Sequence, residues 1–520
     1  MWSISSLLIL LFMGATAESA RILFLFAFPA KSHVGAFTPY IEELTKRGHE
    51  VTVVSAFPRK QPLANYTEII VPDTLHAKEK GFNVFEMGDT YFLPMIFFFF
   101  LMGSESCERL LQDPNMQKLI HSKEMKFDLV IYEPFFTECT YGLIHKFNAP
   151  SIQILPNTLM PLMGNPVGNP NTASYITDIM MEQEMQGFTG RLMNSFRLGT
   201  VYLFRKFVVV PKMDALIKKY YPDPTIPSVE DIESKVAFLF LHSHPILHLP
   251  KPLTPNTIEL AGLHITDTTK KLPQDLQKFF DEAPDGVIYF SLGSNIRSVD
   301  MPEKMRNAIL NTFANLKQKV LWKWEDDTLP GQPPNVKLSK WVPQHDVLAH
   351  PNLKLFITHG GLMSLQESIY FGVPLIAIPV FADQRLNTLR AQKAGYAISL
   401  HLNNITEETL NWAIQEMLTE PSYRENVKEA SRIFRDQPQK PIERAIFWTE
   451  YAIRHKGAPH LRSTALKLNL FEYYLVDVII FFIVSVLVFI TISLMCMRKI
   501  FTCMCSKSKT SNVSSSKKKK

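Results

Sequence analysis

The sequence predicts an α/β protein with two doubly wound domains that face each other across a cleft, followed by one transmembrane helix. The chain of 520 residues is too long for one ordinary core and fits two domains. Strand-like apolar runs alternate with helical segments in two separate stretches, the pattern of parallel sheets covered by helices. Near the C-terminus, residues 478–497 form an uncharged run that is long enough to cross a bilayer core of about 30 Å.

The N-terminus is predicted to be a secretory signal peptide. An apolar run at residues 7–13 precedes the small residues Ala15 and Ala17, a typical cleavage site, although no Lys or Arg lies before it. The alternative is a first buried strand, but residues 21–28 already fit that role. We therefore assign residues 1–17 to the signal peptide.

The first domain is predicted to span residues 18–265. Its first strand is followed by a helix that Gly48 terminates. Strands are expected at residues 22–28, 50–55, 127–132 and 151–155.

The second domain is predicted to span residues 266–440, and the Pro-rich stretch at 249–256 and the polar stretch at 266–271 are interpreted as the linker between the two sets of strands. A helix is expected at 302–316, and residues 441–476 are interpreted as a helical segment leading to the membrane. Because ligands of such sheets bind beyond the carboxyl ends of the strands, we expect the site in the cleft. Strands are expected at residues 286–292, 319–323, 353–358, 374–378 and 397–400.

The C-terminal region predicts a single-pass type I topology. The tail, residues 498–520, holds eight Lys or Arg and no acid, so 477–497 is the predicted transmembrane helix and everything before it is luminal. The last four lysines, 517–520, resemble the di-lysine signal that returns proteins to the endoplasmic reticulum membrane. The alternative is a solvated tail attracted to anionic lipid.

Charge and cysteine content argue against a nucleic-acid-binding protein and against a fold held together mainly by disulfides. Without the tail's eight cations, the net charge of +6 becomes about −2, which argues against a nucleic-acid partner. Cys107 and Cys139 are the only cysteines of the predicted luminal part, so at most one disulfide forms there. Asn65 and Asn404 begin luminal glycosylation sequons, whereas the sequon at Asn512 is cytosolic.

The most informative motif begins where a predicted strand ends at Thr358. His359 and two glycines follow, so a ligand can approach the backbone closely at the start of a helix. Such a helix N-terminus suits a diphosphate without a metal ion. Glu367 lies about two turns into the helix, where its carboxylate could accept hydrogen bonds from ribose hydroxyls.

The stretch 356–384, together with residues 341–344 and 291–295, is similar to the signature of the UDP-glycosyltransferases. The resemblance extends over nearly the whole predicted luminal chain and is closest to insect members of the animal microsomal type. It implies a GT-B fold, in which a first Rossmann-like domain binds the acceptor and a second binds the UDP-sugar. UDP-sugar is then a co-substrate, and neither a metal nor another cofactor is required.

The resemblance also implies roles for residues that taken singly would be core side chains or solvated charges. Trp341 resembles the tryptophan that stacks on uracil, and Gln344 its neighbour that contacts the nucleoside. His359 and the helix N-terminus at Gly361 would hold the diphosphate with Ser364, and Glu367 would hold the ribose. The remaining donor residues are Asp383 and Gln384 for the sugar hydroxyls, and Ser291, Gly293 and Ser294 for the nucleotide pocket.

The general base implied by the resemblance is His33, in the loop after the first strand. Imidazole side chains titrate near neutral pH and can accept a proton from an acceptor hydroxyl. The family places an aspartate partner after the strand at 127–132, where this chain has Glu133. Glu138 is a competitor if the alignment shifts, and otherwise an acid in the first turn of the next helix.

We therefore expect an inverting hexosyltransferase, using UDP-glucose, that conjugates small lipophilic acceptors such as xenobiotics, pigments or hormones. The alternatives are a UDP-glucuronosyltransferase and a catalytically silent, membrane-tethered carrier of hydrophobic ligands. The apolar segment 91–101, with its Phe97–Phe100 run, is either a core helix, an acceptor wall or a segment that dips into the luminal leaflet. Methionines at 160, 163, 180, 181 and 185 fit an adaptable pocket or ordinary packing. The sequence leaves the oligomeric state open, a homo-oligomer included.

Overall fold

The computed structural model describes residues 19–72, 85, 92–177 and 187–515. The predicted signal peptide, Met180, Met181, Met185 and the C-terminal lysines lie outside the described residues. The chain forms two compact units, Met1–Arg462 and Ser463–Lys520.

The first unit contains two parallel sheets, as predicted, and the first has seven strands in the order β3-β2-β1-β4-β5-β6-β7. Alternate residues of β1 pack in different cores, Ile22 and Phe24 on one face of the sheet and Leu23 and Leu25 on the other. The sheet is thus buried on both faces, which explains its continuous apolar runs. The strands are β1 Arg21–Leu25, β2 Glu50–Ser55, β3 Tyr66–Ile70, β4 Leu129–Tyr132, β5 Ser151–Leu155, β6 Phe238–Leu241 and β7 Thr257–Glu259.

The second sheet has six parallel strands in the order β10-β9-β8-β11-β12-β13. Its core also lies on both faces, because Ile288 and Phe290 of β8 pack on one side and Val287 and Tyr289 on the other. The strands are β8 Val287–Ser291, β9 Lys319–Lys323, β10 Val336–Ser339, β11 Leu353–Thr358, β12 Leu375–Ala377 and β13 Ala397–Ser399.

Helices connect the strands of both sheets. In the first domain, the helix Gly187–Phe204 continues through a π-helical turn at Arg205–Val209 into the helix Val210–Tyr220. The helices of this domain are α1 Lys31–Lys46, α2 Phe92–Gln112, α3 Pro114–His121, α4 Tyr141–Phe147, α5 Pro161–Gly164, α6 Gly187–Phe204, α7 Val210–Tyr220 and α8 Val229–Glu233. Those that follow are α9 Gln274–Asp281, α10 Glu303–Ala314, α11 Gln344–Leu348, α12 Leu362–Phe371, α13 Gln384–Lys393, α14 Glu407–Thr419, α15 Pro421–Arg435 and α16 Pro441–Arg454.

Helix α16 begins the segment 441–476, which the sequence analysis interpreted as a helical lead to the membrane. It returns to the first domain, where Thr449 hydrogen-bonds the buried hydroxyl of Tyr40 on α1. The Trp448 ring lies 5.1 Å from the ring of Phe238 on β6. An amphipathic helix can bury its apolar face against any exposed sheet or helix surface, so its sequence did not indicate which domain it joins.

One disulfide joins Cys107 on α2 to Cys139, which lies in a short 3₁₀ helix at Glu138–Thr140 after β4. The sequence had left open whether these two cysteines form a disulfide, and the structure shows that they do. It links the helix that contains residues 92–101 of the apolar segment directly to the turn beyond the carboxyl end of β4.

The second unit contains the short helix α17, Leu470–Tyr473, and the long helix α18, Val476–Ser515. Its portion Val476–Cys505 is long and apolar enough to cross a membrane. The helix is longer than the predicted span at 477–497 and continues into the basic tail.

In the first unit, both predicted glycosylation residues, Asn65 and Asn404, are exposed.

Candidate active site

A cleft of about 2070 Å³ is lined by residues of both α/β domains. It lies beyond the carboxyl ends of central strands, because residues that directly follow β1, β4, β8 and β11 line it or contact its lining. Parallel sheets present loops and helix N-termini at this edge. All of the predicted donor residues line the cleft: Ser291, Gly293, Ser294, Trp341, Gln344, His359, Gly361, Ser364, Glu367, Asp383 and Gln384.

His33 and Glu133 form a hydrogen-bonded pair on the first-domain side. Nδ1 of His33 lies 2.5 Å from Oε1 of Glu133, which directly follows β4 and is 1% exposed. His33 lies in the first turn of α1 and not in the predicted loop, because α1 begins at Lys31. The rings of Phe28 and Phe135 pack on the imidazole at 5.7 and 5.9 Å. The Nδ1 contact leaves Nε2 as the nitrogen available to a ligand.

Glu138, the competing partner of His33, belongs to a different cluster. Its carboxylate is buried 3.8 Å from the guanidinium of Arg205, which also pairs with Glu233 at 2.7 Å. Burial raises the pKa of the Glu138 carboxyl, and the charge of Arg205 opposes that rise. The structure therefore brings Glu133, and not Glu138, into contact with His33.

His359, which precedes α12, is packed between Gly293, which follows β8, and Gly361, the N-cap residue of α12. A Cβ at Gly293 would lie 2.6 Å from the imidazole, and one at Gly361 would also collide with it. Burial and, secondarily, the charge of Lys323 lower the pKa of His359 to about 4. The imidazole is therefore neutral at physiological pH and can donate one N–H to a ligand.

The N-terminus of α12 faces the cleft without a side-chain cap. Its N-cap residue is Gly361, which has no side chain to accept from the first-turn N–H groups. These groups and the positive end of the helix dipole favour an anionic ligand. Ser364 lies in this first turn and lines the cleft.

Gln344, Ser364 and Glu367 form one hydrogen-bonded group. Nε2 of Gln344 donates to Oε2 of Glu367 at 2.5 Å and to Oγ of Ser364 at 3.1 Å, while the hydroxyl of Tyr289 donates to Oε1 of Gln344 at 3.2 Å. Burial raises the pKa of Glu367 to about 7, and the bond from Gln344 lowers it in part. A carboxylate in this setting is well suited to accept from ligand hydroxyls.

Asp383 and Gln384 face the His33 side of the cleft. Asp383 accepts from Nδ2 of Asn387 at 2.6 Å, and burial raises the pKa of its carboxyl, whereas a charged His33 would lower it. Oε1 of Gln384 accepts from the N–H groups of Val380 and Phe381 at 2.8 and 3.1 Å. Both side chains are therefore held in fixed orientations.

Two contacts across the cleft involve residues to which the sequence analysis assigned no role. Nζ of Lys31 lies 4.4 Å from the centre of the Trp341 ring, which is 58% exposed. Nδ2 of Asn295 donates to Oγ of Ser32 at 2.9 Å. Burial, Lys60 and Lys323 lower the pKa of Lys31. The sequence could have indicated these residues only by their position next to predicted site residues, because Lys31 and Ser32 precede His33 and Asn295 follows Ser294.

Aromatic and aliphatic side chains line the cleft around His33. Helix α2 contributes Phe98, Phe99, Phe100, Leu101 and Met102, and Phe135 and Met160 add to them. Part of the predicted apolar segment is therefore a cleft wall, while Phe97 is half exposed. Among the described residues, no group of three His, Cys, Asp or Glu side chains is arranged to hold a metal ion.

Solved glycosyltransferases of the GT-B fold share this architecture. The calicheamicin glycosyltransferase CalG4 matches with a TM-score of 0.56 at 18% identity, over 85% of this chain and 100% of that one. A UDP-glucosyltransferase from Polygonum tinctorium matches with a TM-score of 0.56 at 17% identity, over 85% and 100%. The fold is thus that of the GT-B glycosyltransferases.

Sequence relatives define the family. A model of the family described as "UDP-glucoronosyl and UDP-glucosyl transferase" matches residues 23–511. UDP-glycosyltransferase UGT5 of Dactylopius coccus is 36% identical over 90% of this chain and 89% of its own, and UDP-glucosyltransferase 2 of the same insect is 34% identical over 90% of each. UDP-glucuronosyltransferase 2C1 of Oryctolagus cuniculus is 32% identical over 85% and 90%. The chain belongs to this family and is a UDP-sugar-dependent glycosyltransferase.

The raised pKa of Glu367 predicts a pH-dependent gain of stability in Glu367→Gln. Burial disfavours the carboxylate, so its destabilising effect develops as pH rises from about 4.5 to about 7 and is complete above that range. Near pH 8 we expect the variant to be more stable than wild type, by up to a few kcal/mol in the free energy of unfolding, and therefore to melt at a higher temperature. Near pH 4.5 the two proteins should melt at the same temperature. Glu303→Gln, at a site 78% exposed, is the control. An equal difference at both pH values would contradict the prediction.

Proposed function

We propose that this enzyme transfers glucose from UDP-glucose to hydroxyl groups of small lipophilic acceptors, with inversion at the anomeric carbon and with His33 as general base. The observation that supports this most directly is the His33–Glu133 pair, which faces Asp383 across the cleft. A base and a sugar-binding carboxylate are thereby close to the same point, where an acceptor oxygen and an anomeric carbon would meet.

The proposed reaction is a single displacement. Nε2 of His33 removes the proton from the acceptor hydroxyl, whose oxygen attacks the anomeric carbon from the face opposite UDP. The bond from that carbon to the diphosphate oxygen breaks, and its electron pair leaves with UDP. Glu133 holds the Nδ1–H tautomer and stabilises the imidazolium that forms, as carboxylates do in hydrolase triads. An α-linked donor then gives a β-glycoside.

The leaving diphosphate is proposed to lie at the start of α12. The uncapped N–H groups there, the neutral His359 and the nearby Lys323 would stabilise its developing charge without a metal ion. Glu367 would accept from the ribose hydroxyls and Trp341 would stack on uracil. Asp383 and Gln384 would bind the sugar hydroxyls, because both are already oriented by neighbouring hydrogen bonds.

Glucose is the proposed sugar, and UDP-glucuronate is the alternative. The similarity to the insect UDP-glucosyltransferase 2 supports glucose, whereas the mammalian relatives are named for glucuronate. Microsomes containing the protein should be incubated with UDP-glucose, UDP-glucuronate and other UDP-sugars against a panel of phenols. A glucoside as the main product is expected. Binding of UDP without any product from the panel would instead favour the carrier of hydrophobic ligands.

The His33–Glu133 pair predicts a specific pattern of kinetic losses. Glu133→Gln should lower kcat by about 10²–10⁴ with nearly unchanged UDP affinity, because only base assistance is lost. His33→Ala should be at least as damaging, and the double variant little worse, because the two residues act as one unit. Glu138→Gln is the matched control and should mainly lower the melting temperature. A larger kcat loss in Glu138→Gln than in Glu133→Gln would contradict the assignment.

The Lys31–Trp341 contact predicts that uridine and UDP respond differently to the same substitution. Lys31→Met removes a cation that competes for the ring, a contact worth about 0.5–1 kcal/mol, so uridine should bind about two- to fivefold more tightly. UDP should not gain, because the lysine would otherwise attract its phosphates. Trp341→Ala should weaken both ligands and His359→Ala only UDP, by about 1–3 kcal/mol each.

Lys340→Met is the control for Lys31→Met, because Lys340 adjoins Trp341 in sequence but pairs with Asp327 at 2.8 Å. Isothermal titration with uridine and with UDP measures both affinities. Unchanged uridine binding in Trp341→Ala would show that this ring does not stack on the base.

We propose an endoplasmic reticulum location with the catalytic unit in the lumen. The apolar helix at Val476–Cys505 and the basic residues after it support a type I span. Protease added to sealed microsomes should therefore shorten the protein by only about 2.6 kilodaltons, the size of a tail of 23 residues. Replacing Lys517 and Lys518 with serine should release part of the protein to the cell surface. Digestion of the large unit in unbroken vesicles would contradict this topology.

A further inference from the structure

The side-chain amide of Gln366 joins the two α/β domains through two hydrogen bonds. Its Nε2 donates to the carbonyl of His242 at 2.9 Å, and its Oε1 accepts from the backbone N–H of Gly262 at 2.8 Å. His242 directly follows β6 and Gly262 lies just beyond β7, so both partners are at the carboxyl edge of the first sheet. Gln366 itself is on α12 and is fully buried. A buried amide with both groups satisfied fixes the segments that it joins.

Two further contacts hold α12 to the segment that leaves the first sheet. Nε2 of His264 lies 3.3 Å from the carbonyl oxygen of Met363, and the hydroxyl of Tyr370 donates to Oδ1 of Asp267 at 3.0 Å. Residues 366 and 370 are one turn apart and therefore share a face of the helix. This face of α12 binds the connection between the two domains.

A neighbouring face of α12 points into the cleft. Ser364 and Glu367 line the cleft, and Glu367 directly follows Gln366 in the sequence. Consecutive residues of a helix are about 100° apart around its axis, so they face different neighbours from the same turn. One turn of α12 thus carries both the contact with the first domain and the carboxylate proposed to hold the ribose.

His242 connects Gln366 to the helix that carries His33. The ring of His242 lies 4.9 Å from that of Phe37 in an edge-to-face arrangement, and both side chains are fully buried. Phe37 is one turn beyond His33 on α1. Buried contacts therefore lead from α1 through His242 to α12, and close-packed interiors of this kind transmit displacements.

We propose that Gln366 is a positioning residue for sugar transfer, because it holds α12, and a donor bound at the start of α12, at a fixed distance from His33. The sequence analysis assigned no role to Gln366. The proposal rests on the proposed function, in which His33 activates the acceptor oxygen that attacks the anomeric carbon. A displacement of about 1 Å between reacting groups can lower a rate by about 10²-fold, so a side chain that touches neither substrate can still control transfer.

The first test separates donor binding, transfer and hydrolysis in the full-length protein. Gln366→Met removes both hydrogen bonds and keeps the length of the side chain. With whichever UDP-sugar the protein transfers to a phenol, we expect kcat for transfer to fall by about tenfold or more. The Kd of UDP should change by less than about twofold, because the amide binds backbone groups and not the nucleotide.

Hydrolysis of the same donor is the second reaction to measure. There a water oxygen bonds to the anomeric carbon, UDP leaves with the electron pair of the broken bond, and His33 takes the proton of the water. Water is small and needs no acceptor pocket in a fixed position, so hydrolysis should fall less than transfer in Gln366→Met. The ratio of hydrolysis to transfer should therefore rise several-fold, which a loss of stability alone would not cause.

Ser368→Ala is the matched control on the same helix. Ser368 is also fully buried on α12, but its hydroxyl donates to the carbonyl of Val373 at 2.5 Å, within the second domain. This variant should melt at a lower temperature and keep the wild-type ratio of hydrolysis to transfer. Tyr370→Phe removes only the bond to Asp267 at a half-buried site and should raise the ratio, so it tests the same face of α12 if Gln366→Met does not fold.

A distance measurement tests the positioning without catalysis. The cysteines outside the disulfide are first replaced with serine: Cys496, Cys503 and Cys505. Spin labels are then attached at Lys46→Cys on α1 and Lys278→Cys on α9, where the side chains are 66% and 75% exposed. Pulsed electron paramagnetic resonance should give one narrow distance in the parent protein and in Ser368→Ala, and a shifted or broader one in Gln366→Met.

Two outcomes would overturn the proposal. An unchanged ratio of hydrolysis to transfer in Gln366→Met, with a lower melting temperature like that of Ser368→Ala, would mean that the amide only stabilises the fold. An unchanged distance between the labels would mean that other contacts set the arrangement of the domains. If no UDP-sugar is transferred at all, the proposed function fails, whereas the label distance still decides whether Gln366 holds α12 against the first domain.

Discussion

The first-domain side of the cleft depends on one hydrogen bond, between Nδ1 of His33 and Oε1 of Glu133. Glu133 is 1% exposed, and a buried carboxylate is costly unless a donor or cation compensates it. Its second oxygen has no hydrogen-bond partner in the described part of the chain, so His33 provides the compensation alone. The two residues are therefore mutually dependent: the carboxylate orients the ring, and the ring compensates the buried carboxylate.

Strand register places this bond where the two domains meet. β1 and β4 pair in parallel with Leu25 opposite Tyr132, so the chain segments that follow both strands leave the sheet side by side. α1 begins at Lys31, and its first turn brings the His33 ring against Glu133, directly beyond β4. The additional methylene of Glu133, relative to the aspartate of the family motif, is accommodated within this contact.

Continuous apolar runs made most of the central strands predictable from sequence, because strands buried on both faces leave that pattern. Edge strands such as Tyr66–Ile70 and Val336–Ser339 were missed, since they are short and only partly buried and lack such a run. The interior strand Phe238–Leu241 was also missed, although it is apolar and fully buried. The predicted donor residues, all of which line the cleft, were selected through motifs that are local in sequence. Glu138 could not be assigned that way, because its cation, Arg205, is 67 positions further along the chain and only the folded structure brings the two together.

Three consecutive residues of the first domain connect the two halves of the site. Lys31 contacts the Trp341 ring, Ser32 accepts from Asn295, and His33 bonds Glu133. The first two contacts reach the second domain, and the third holds the His33 ring against Glu133. These residues share the first turn of α1, so contacts with the second domain and with Glu133 converge on one helical turn. The placement of the His33 ring is therefore tied to the contacts that this turn makes with the second domain as well as to Glu133.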